Sequence, residues 1–569
     1  MEILKTEILV VGAGGAGLRA AIEASDHGAQ VAVLSKSVLG KAHTVMAEGG
    51  IAAALGNADP KDNWKVHFRD TMVEGQMIAD WDMVSALVQE VPERIKELEA
   101  WGALFDRDEN GKIAQRAFGA HTYKRTCYVG DRIGLEILHT LEDQVIARNI
   151  EVRDEAIATK IIGSNDKNNN KNKNRIAGVI CVDLKRGEVF AIQAKAIILA
   201  TGGAGRLYKI TSNSWETAGY GYALAFDAGA QLQDMEMIQF HPTGMVYPQS
   251  AAGLLVTEAV RGEGGILLNS KGERFMEKYD KKRMELSARD IVARAVYNEI
   301  KEGRGTAHGG AWLDITHKGA NYIIKKLPSM YDQFNTFAHV DIKKEKMEVA
   351  PTAHYTMGGV KTNINCETSV AGLFVAGEAA TGVHGANRLG GNSLADILVF
   401  GRRAGINAAK YSSKTEYAEM DKDEISEELK RMDAPFKSNG VHPSEIKKAA
   451  QKIMWEHAGI MKTEHGLRQA LEGIEKLKTM KAHADGSLQY NLTWVEAIQA
   501  AGMLLVCEAI VRSALERKES RGAHYRSDFP KQDDKSWMVN IICRNMKGKM
   551  KLEKKPVPQM PEELKRLLP

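Results

Sequence analysis

Five short segments gather cations, imidazoles and glycine: QFHPTG at Gln239–Gly244, TEAVRGEGG at Thr257–Gly265, ARD at Ala288–Asp290, HYTMGG at His354–Gly359 and NRLGGNSL at Asn387–Leu394. Together they offer His241 and His354, and Arg261, Arg289 and Arg388, in glycine-flanked loops. The planar fork of arginine binds a carboxylate through two parallel hydrogen bonds. A set of such forks points to an anionic substrate of the dicarboxylate class. The commoner fate of a single arginine is a surface ion pair. That reading weakens where several arginines fall beside glycines that thin the backbone cover. A sixth stretch, SKSVLGKAHTVMAEGGIAAA, places one histidine, His43, among small residues ahead of Gly49 and Gly50. On composition alone His43 is a packed or hydrogen-bonded side chain.

The elements around these residues read as follows. Glu7–Val11 is a short apolar run suited to a buried parallel strand. GAGGAG follows at Gly12–Gly17, then a helical stretch to Gly28, then a second strand, QVAVLSK. This is a βαβ unit with Gly12, Gly14 and Gly17 in the G-x-G-x-x-G positions, where the helix N-terminus stabilises a pyrophosphate. The second strand ends in Ser35-Lys36 rather than a ribose-binding carboxylate. Lys36 reads either as a partner for a 2′-phosphate or as a solvated lysine. AKAIILATGG ends a further strand at Thr201-Gly202-Gly203, and the strand–glycine texture returns at GLFVAGEAATG. Between them, from Gln239 to about Ala350, the chain is loop-rich. The fold expected is α/β, a Rossmann-like dinucleotide-binding domain interrupted by an inserted α+β capping domain and followed by a C-terminal helical domain. The spans expected are 1–238 and 352–422 for the first, 239–351 for the insertion, 423–530 for the helices and 531–569 for a C-terminal extension. Ser164–Asn174 is low-complexity and polar, a solvated hairpin tip.

The chain has 569 residues and a net charge of +4, too balanced for nucleic acid to be the main partner. Its basic tail, KGKMKLEKKPVP, and a pI near 8.5 are the only support for an RNA-recognising module, and the tail reads as solvated surface. The five cysteines form no CxxC pair, so no zinc or iron–sulfur framework and no metal site is read, and a reducing compartment is expected. The N-terminus enters a strand directly and shows no signal-peptide pattern. Trp494–Val511 is read as too short and too charged to cross a bilayer. Membrane association is therefore expected only through a partner.

The motifs GAGGAG, KAHTVMAEGG, QFHPTG, TEAVRGEGG, ARDIVARA, PTAHYTMGG, FVAGEA, HGANRLGGNSL and ESRGAHYRSDFP resemble the flavoprotein subunit of succinate dehydrogenase and quinol:fumarate reductase, from about residue 5 onward. Some pieces also resemble L-aspartate oxidase, which acts on another dicarboxylate with noncovalent FAD. The resemblance implies FAD on Gly12, Ala13, Gly14, Gly15, Ala16, Gly17, Ser35, Lys36, His43, Thr44, Ala47, Glu48, Gly49, Gly50, Glu378, Ser393 and Leu394, tied covalently by His43. It implies that His241, Thr257, His354 and Arg388 hold the substrate carboxylates. Arg289 is the implied proton donor and acceptor, with Glu258 and Arg261 relaying protons to it. It further implies succinate and fumarate as substrates, an iron–sulfur protein partner, the quinone pool, membrane anchor subunits and a peripheral place on the cytoplasmic face of the membrane. Glu48 stands where many succinate dehydrogenases have glutamine, which leaves the direction of electron flow open. Tyr220 stands where relatives carry an FAD-contacting aspartate.

Overall fold

A computed structural model of the chain describes residues 1–165 and 175–569. The run expected to be a hairpin tip falls, apart from Ser164 and Asn165, outside the described residues. The strand Glu2–Val11 lies between Val31–Leu34 and Glu188–Leu199 and is parallel to both, with Ile8 opposite Val31 and Ala196. Glu151–Arg153 extends one side of this seven-stranded sheet, and the antiparallel pair Ala156–Gly163 and Ile176–Asp183 extends the other. Leu373–Val375 pairs with the end of Glu188–Leu199. Strand periodicity sends Ile8 and Val10 to one face, against Leu18, Ala21 and Ile22 of helix Gly15–Asp26. Leu9 and Val11 go to the other face, with Tyr222 and Leu224 of helix Tyr220–Asp227. Ile8, Leu9 and Val10 are fully buried, each worth about 1.5–3 kcal/mol of apolar transfer.

Two glycines fix the βα turn. Gly12 has φ +113° and lies so close to Ala200 that a Cβ would meet its carbonyl oxygen at 2.3 Å. A Cβ on Gly17 would meet the Gly12 carbonyl oxygen at 1.8 Å. Gly17 therefore lets helix and strand pack closely.

The inserted segment is less loop-rich than its composition implies. Ile238–Met245, Met347–Thr356, Ala311–Asp314 and Ile266–Leu268 form a four-stranded antiparallel sheet over a core of its own, with Val260, Phe275, Val292 and Phe334. Pro242 offers no N–H to the ladder, and the register shifts between His241 and Gly244. Such a bulge re-aims side chains, here His241.

The helical region comprises Lys422–Asp433, Pro443–His457, Glu464–Lys478 and Leu492–Glu516. Asp421, Thr463 and Asn491 cap three of these with side-chain oxygens. The last helix corrects the expectation drawn from Trp494–Val511. It runs 25 residues and contains an 18-residue window of mean hydropathy 1.6, long and apolar enough to cross a membrane, and 72% of that window is buried inside the protein. It is a core helix. The basic tail is surface, as its charge implies, and is ordered there as a strand. Lys549–Pro556 pairs antiparallel with Val539–Met546, which pairs with Leu232–Gln233 and so joins the sheet containing Gly359–Lys361 and Ala380–Thr381. Its lysines stud an edge strand, a placement that discourages further pairing.

Candidate active site

A cleft of about 250 Å³ runs along the carboxyl ends of the parallel strands, lined at Val11, Leu34, Ala200 and Ala376, and reaches the inserted sheet. Gly12, Ala13, Gly14, Gly15, Ala16, Ser35, Lys36, His43, Thr44, Ala47, Glu48, Gly49, Gly50, Glu378, Ser393 and Leu394 line it. So do His241, Thr257, Glu258, His354, Arg289 and Arg388. Two of the expected residues stand back from it: Gly17 packs beneath the turn, and Arg261 lies behind Glu258.

At the dinucleotide end the Gly15 N–H donates to Thr44 Oγ1 at 3.0 Å, so the His43 segment is pinned to the start of the first helix. Lys36 is not solvated as one reading expected. Its ammonium donates to Gln499 Oε1 at 3.2 Å and lies 4.5 Å from the Trp215 ring, and burial pulls it down to about 8. Tyr220 lines the cleft and donates its hydroxyl to the Thr159 carbonyl at 3.0 Å. The His43 ring is held from both sides: the Ser214 N–H donates to Nδ1 at 3.3 Å, and the Asn213 amide lies 3.3 Å from Nε2. Burial, helped by Arg206, pulls His43 down to about 4 and keeps it neutral.

The carboxylates along the cleft behave differently from one another. Burial, then Asp131, pushes Glu48 well above the usual range, and its Oε2 has no partner among the described residues. Burial raises Glu378 to about 7, while its Oε1 accepts from the Thr356 N–H at 2.9 Å. Buried Thr201 Oγ1, Glu216 Oε1 and Arg388 Nε also lack hydrogen-bond partners among the described residues. A glycine-lined cradle with unpartnered polar atoms along its length fits a dinucleotide such as FAD.

At the inserted-domain end, Arg289 Nε donates to Glu258 Oε2 at 2.7 Å and its Nη1 to Gln239 Oε1 at 3.1 Å. The Gly119 N–H donates to Glu258 Oε1 at 2.8 Å. Burial alone would raise Glu258, but Arg289 and Arg261 outweigh it and hold the carboxyl well below its usual range. Arg261 Nη2 lies 3.8 Å from Glu258, on the same side of the short helix Glu258–Gly262. Arg388 donates from Nη1 to Ser393 Oγ at 2.8 Å and from Nη2 to Gln239 Oε1 at 3.0 Å, with no carboxylate partner among the described residues. Burial, reinforced by Arg289, pulls it down to about 9. The His241 and His354 rings lie 5.1 Å apart, with His241 Nδ1 donating to the Thr243 carbonyl and His354 Nδ1 bonded to Ser212 Oγ. Burial and the neighbouring guanidinium groups push both well below their ordinary value. Arg289 and Arg261 flank the one carboxylate of Glu258, and Arg388 is hydrogen-bonded to none among the described residues.

Several site residues carried no signal of their own in the sequence. Gln239 and Tyr355 each neighbour a histidine that did. Gly119 comes from RAFGAHTYKR, a glycine–cation stretch that did offer a signal, whereas Gln499 reaches the site from a helix with no such texture.

Residues 7–394 match the family described as FAD binding domain, and residues 447–566 the family described as fumarate reductase flavoprotein C-term. The chain is 47% identical to a subunit of the fumarate reductase (CoM/CoB) of Methanothermobacter marburgensis, over 95% of this chain and 97% of that one. Among solved structures, Mycobacterium smegmatis Sdh1 in complex with UQ1 superposes with a TM-score of 0.87 at 43% identity, over 98% of this chain and 95% of that one. E. coli quinol fumarate reductase FrdA superposes with a TM-score of 0.92 at 33% identity, over 99% and 98%.

Proposed function

The chain belongs to the FAD-dependent flavoprotein family of succinate dehydrogenases and fumarate reductases, and we propose that it interconverts succinate and fumarate as the catalytic subunit of such an enzyme. The observation that carries this reading is Arg388, buried at the end of the flavin cleft beside His354 and His241 with no carboxylate partner among the described residues, as a site for a carboxylate substrate requires. FAD, when bound, supplies the hydride acceptor and donor. Arg388, His354, His241 and Thr257 hold the two carboxylates and so fix the carbon–carbon bond that gains or loses hydrogen. Arg289 gives a proton to the neighbouring carbon in fumarate reduction and takes one in succinate oxidation. Glu258, hydrogen-bonded to it, and Arg261 behind pass the proton onward.

His43 carries the flavin covalently in this reading. Its ring is neutral, accepts the Ser214 N–H at Nδ1 and lies on the segment pinned to the dinucleotide turn. Electrons pass to or from a separate iron–sulfur protein, and through it to quinone and membrane anchor subunits that hold the chain peripherally on the cytoplasmic face. The Methanothermobacter relative, named for CoM/CoB, favours testing CoM and CoB beside quinols as electron donors.

The test has two parts. Acid-precipitated protein is expected to stay yellow, and His43→Ser to release its flavin on the same treatment. The purified enzyme is expected to reduce fumarate with a reduced dye and oxidise succinate with an oxidised one. Oxidation of L-aspartate in place of both would instead support the aspartate oxidase reading.

A further inference from the structure

The guanidinium of Arg388 is held on three sides. Ser393 Oγ and Gln239 Oε1 accept from its two terminal nitrogens, and its carbon lies 4.3 Å from the centre of the Tyr355 ring. A flat cation stacked on an aromatic face is fixed in plane as well as in position. The ring itself must then be fixed. The Tyr355 hydroxyl shares a 3.1 Å hydrogen bond with His384 Nε2, and the two rings meet edge to face with centroids 5.2 Å apart. Asp396 Oδ2 stands 3.6 Å from the same imidazole nitrogen. Tyr355, His384, Asp396 and Arg388 are 6%, 4%, 5% and 2% exposed. Burial pushes the Tyr355 phenol up and the His384 imidazole down, so both are neutral beside the cation.

The arrangement closes on itself. Ser393 and Asp396 lie three residues apart on the first turn of helix Asn392–Ser412, whose start lines the flavin cleft. Ser393 takes Arg388 from one side, and Asp396 backs the His384–Tyr355 pair that covers it from the other. Neither Tyr355 nor His384 has a part in the proton relay.

We propose that Tyr355 and His384 act together as positioning residues for Arg388, setting the plane of its guanidinium and with it the affinity for the dicarboxylate. The inference rests on the succinate–fumarate reading given above. Because the pair acts through Arg388 and not on the proton, its loss is read in KM and in the binding of a non-reacting dicarboxylate, with kcat nearly untouched. Because Tyr355 acts only while His384 holds its hydroxyl, the two residues form one unit.

The experiment compares wild type, Tyr355→Phe, His384→Ala, His384→Gln and the double variant Tyr355→Phe/His384→Ala, each as the flavin-loaded enzyme complex. KM and kcat are measured in both directions, and malonate binding is followed by the flavin absorbance change. Each single variant is expected to raise KM and the malonate Kd about three- to tenfold, with kcat within about twofold and flavin content unchanged. The double variant is expected to match the singles, and His384→Gln, which keeps a hydrogen-bonding group, to recover most of the loss. Multiplying effects in the double variant, an unchanged KM, or a loss confined to kcat would overturn this inference alone. A wild-type enzyme inactive toward both dicarboxylates would overturn the functional reading and this inference with it.

Discussion

The protein buries two sets of arginines, and they differ in how many carboxylates each is given. Arg261 and Arg289 share Glu258, and Arg388 pairs with no carboxylate among the described residues. Arg517, Arg521 and Arg526 are surrounded by Asp234, Glu236, Glu519, Asp528 and Asp534, with Arg517 Nε 2.6 Å from Glu236 and Arg521 Nε 2.7 Å from Glu519. Arg521 and Arg526 fall in ESRGAHYRSDFP, a motif of the same glycine–cation texture as those of the first set. The second set is closed: it joins the end of helix Leu492–Glu516 to residues near Leu232–Gln233, and its cations are matched. The first is open, with hydrogen-bonding capacity left over at Arg388 Nε. A buried ion pair that is complete adds little beyond specificity, whereas buried cations without partners await an anion. The ratio of arginine to carboxylate therefore separates scaffold from site where motif texture does not.

The largest effect should come from the open set. Arg289→Gln is expected to lower kcat by about three orders of magnitude or more, while flavin content and thermal midpoint stay near wild type. Retained succinate oxidation would remove Arg289 from its role and blur the contrast. In the closed set the expectation inverts. Arg517→Ala strands Glu236, which is fully buried, and is expected to cost about 3–5 kcal/mol of stability, while the fraction that folds keeps a wild-type KM. A stable Arg517→Ala protein with poor turnover would show the two sets to be one. A milder probe is Arg388→Lys, which keeps the charge and loses the fork. KM for fumarate should rise about 10- to 100-fold with a smaller change in kcat, measured by steady-state kinetics.

The smallest effect is a pH dependence at the cofactor end. Glu378 is raised by burial from 4.5 to about 7, so the folded, flavin-free protein binds its proton more tightly than the unfolded chain does. Its stability contribution is present below pH 4.5 and is lost as pH rises through about 7. Glu378→Gln should flatten the decline in stability across that window, as read by denaturant unfolding of flavin-free protein at a series of pH values. An unchanged slope would mean that Thr356 and the cleft already hold the carboxylate charged.

Much of the dinucleotide half was legible because local rules fix it. The run of apolar residues before GAGGAG, and the steric demands at Gly12 and Gly17, allow few alternatives to a βα turn. The arginines and histidines of the other half were legible as chemistry and not as geometry. Nothing in the spacing of Gln239, Asn387 and Arg388 says that one amide oxygen takes hydrogen bonds from two guanidinium groups. Such contacts arise where a bulged strand of the inserted sheet meets a loop almost 150 residues later. Composition also understated order in the insertion, since glycine and charge mark turns between short strands as readily as loops. The environment of Lys36 was invisible for a similar reason: Gln499, which receives it, comes from the helical region.

The hairpin Val539–Pro556 sets a timetable for synthesis. It pairs with Leu232–Gln233, which in turn flanks the strands beside Glu378. At ribosomal speeds of about 5–20 residues per second, that central strand waits roughly 15–60 s for its partner to emerge. During this interval the sheet has an unpaired edge. Any factor that shields that edge must act until residues 539–556 have emerged.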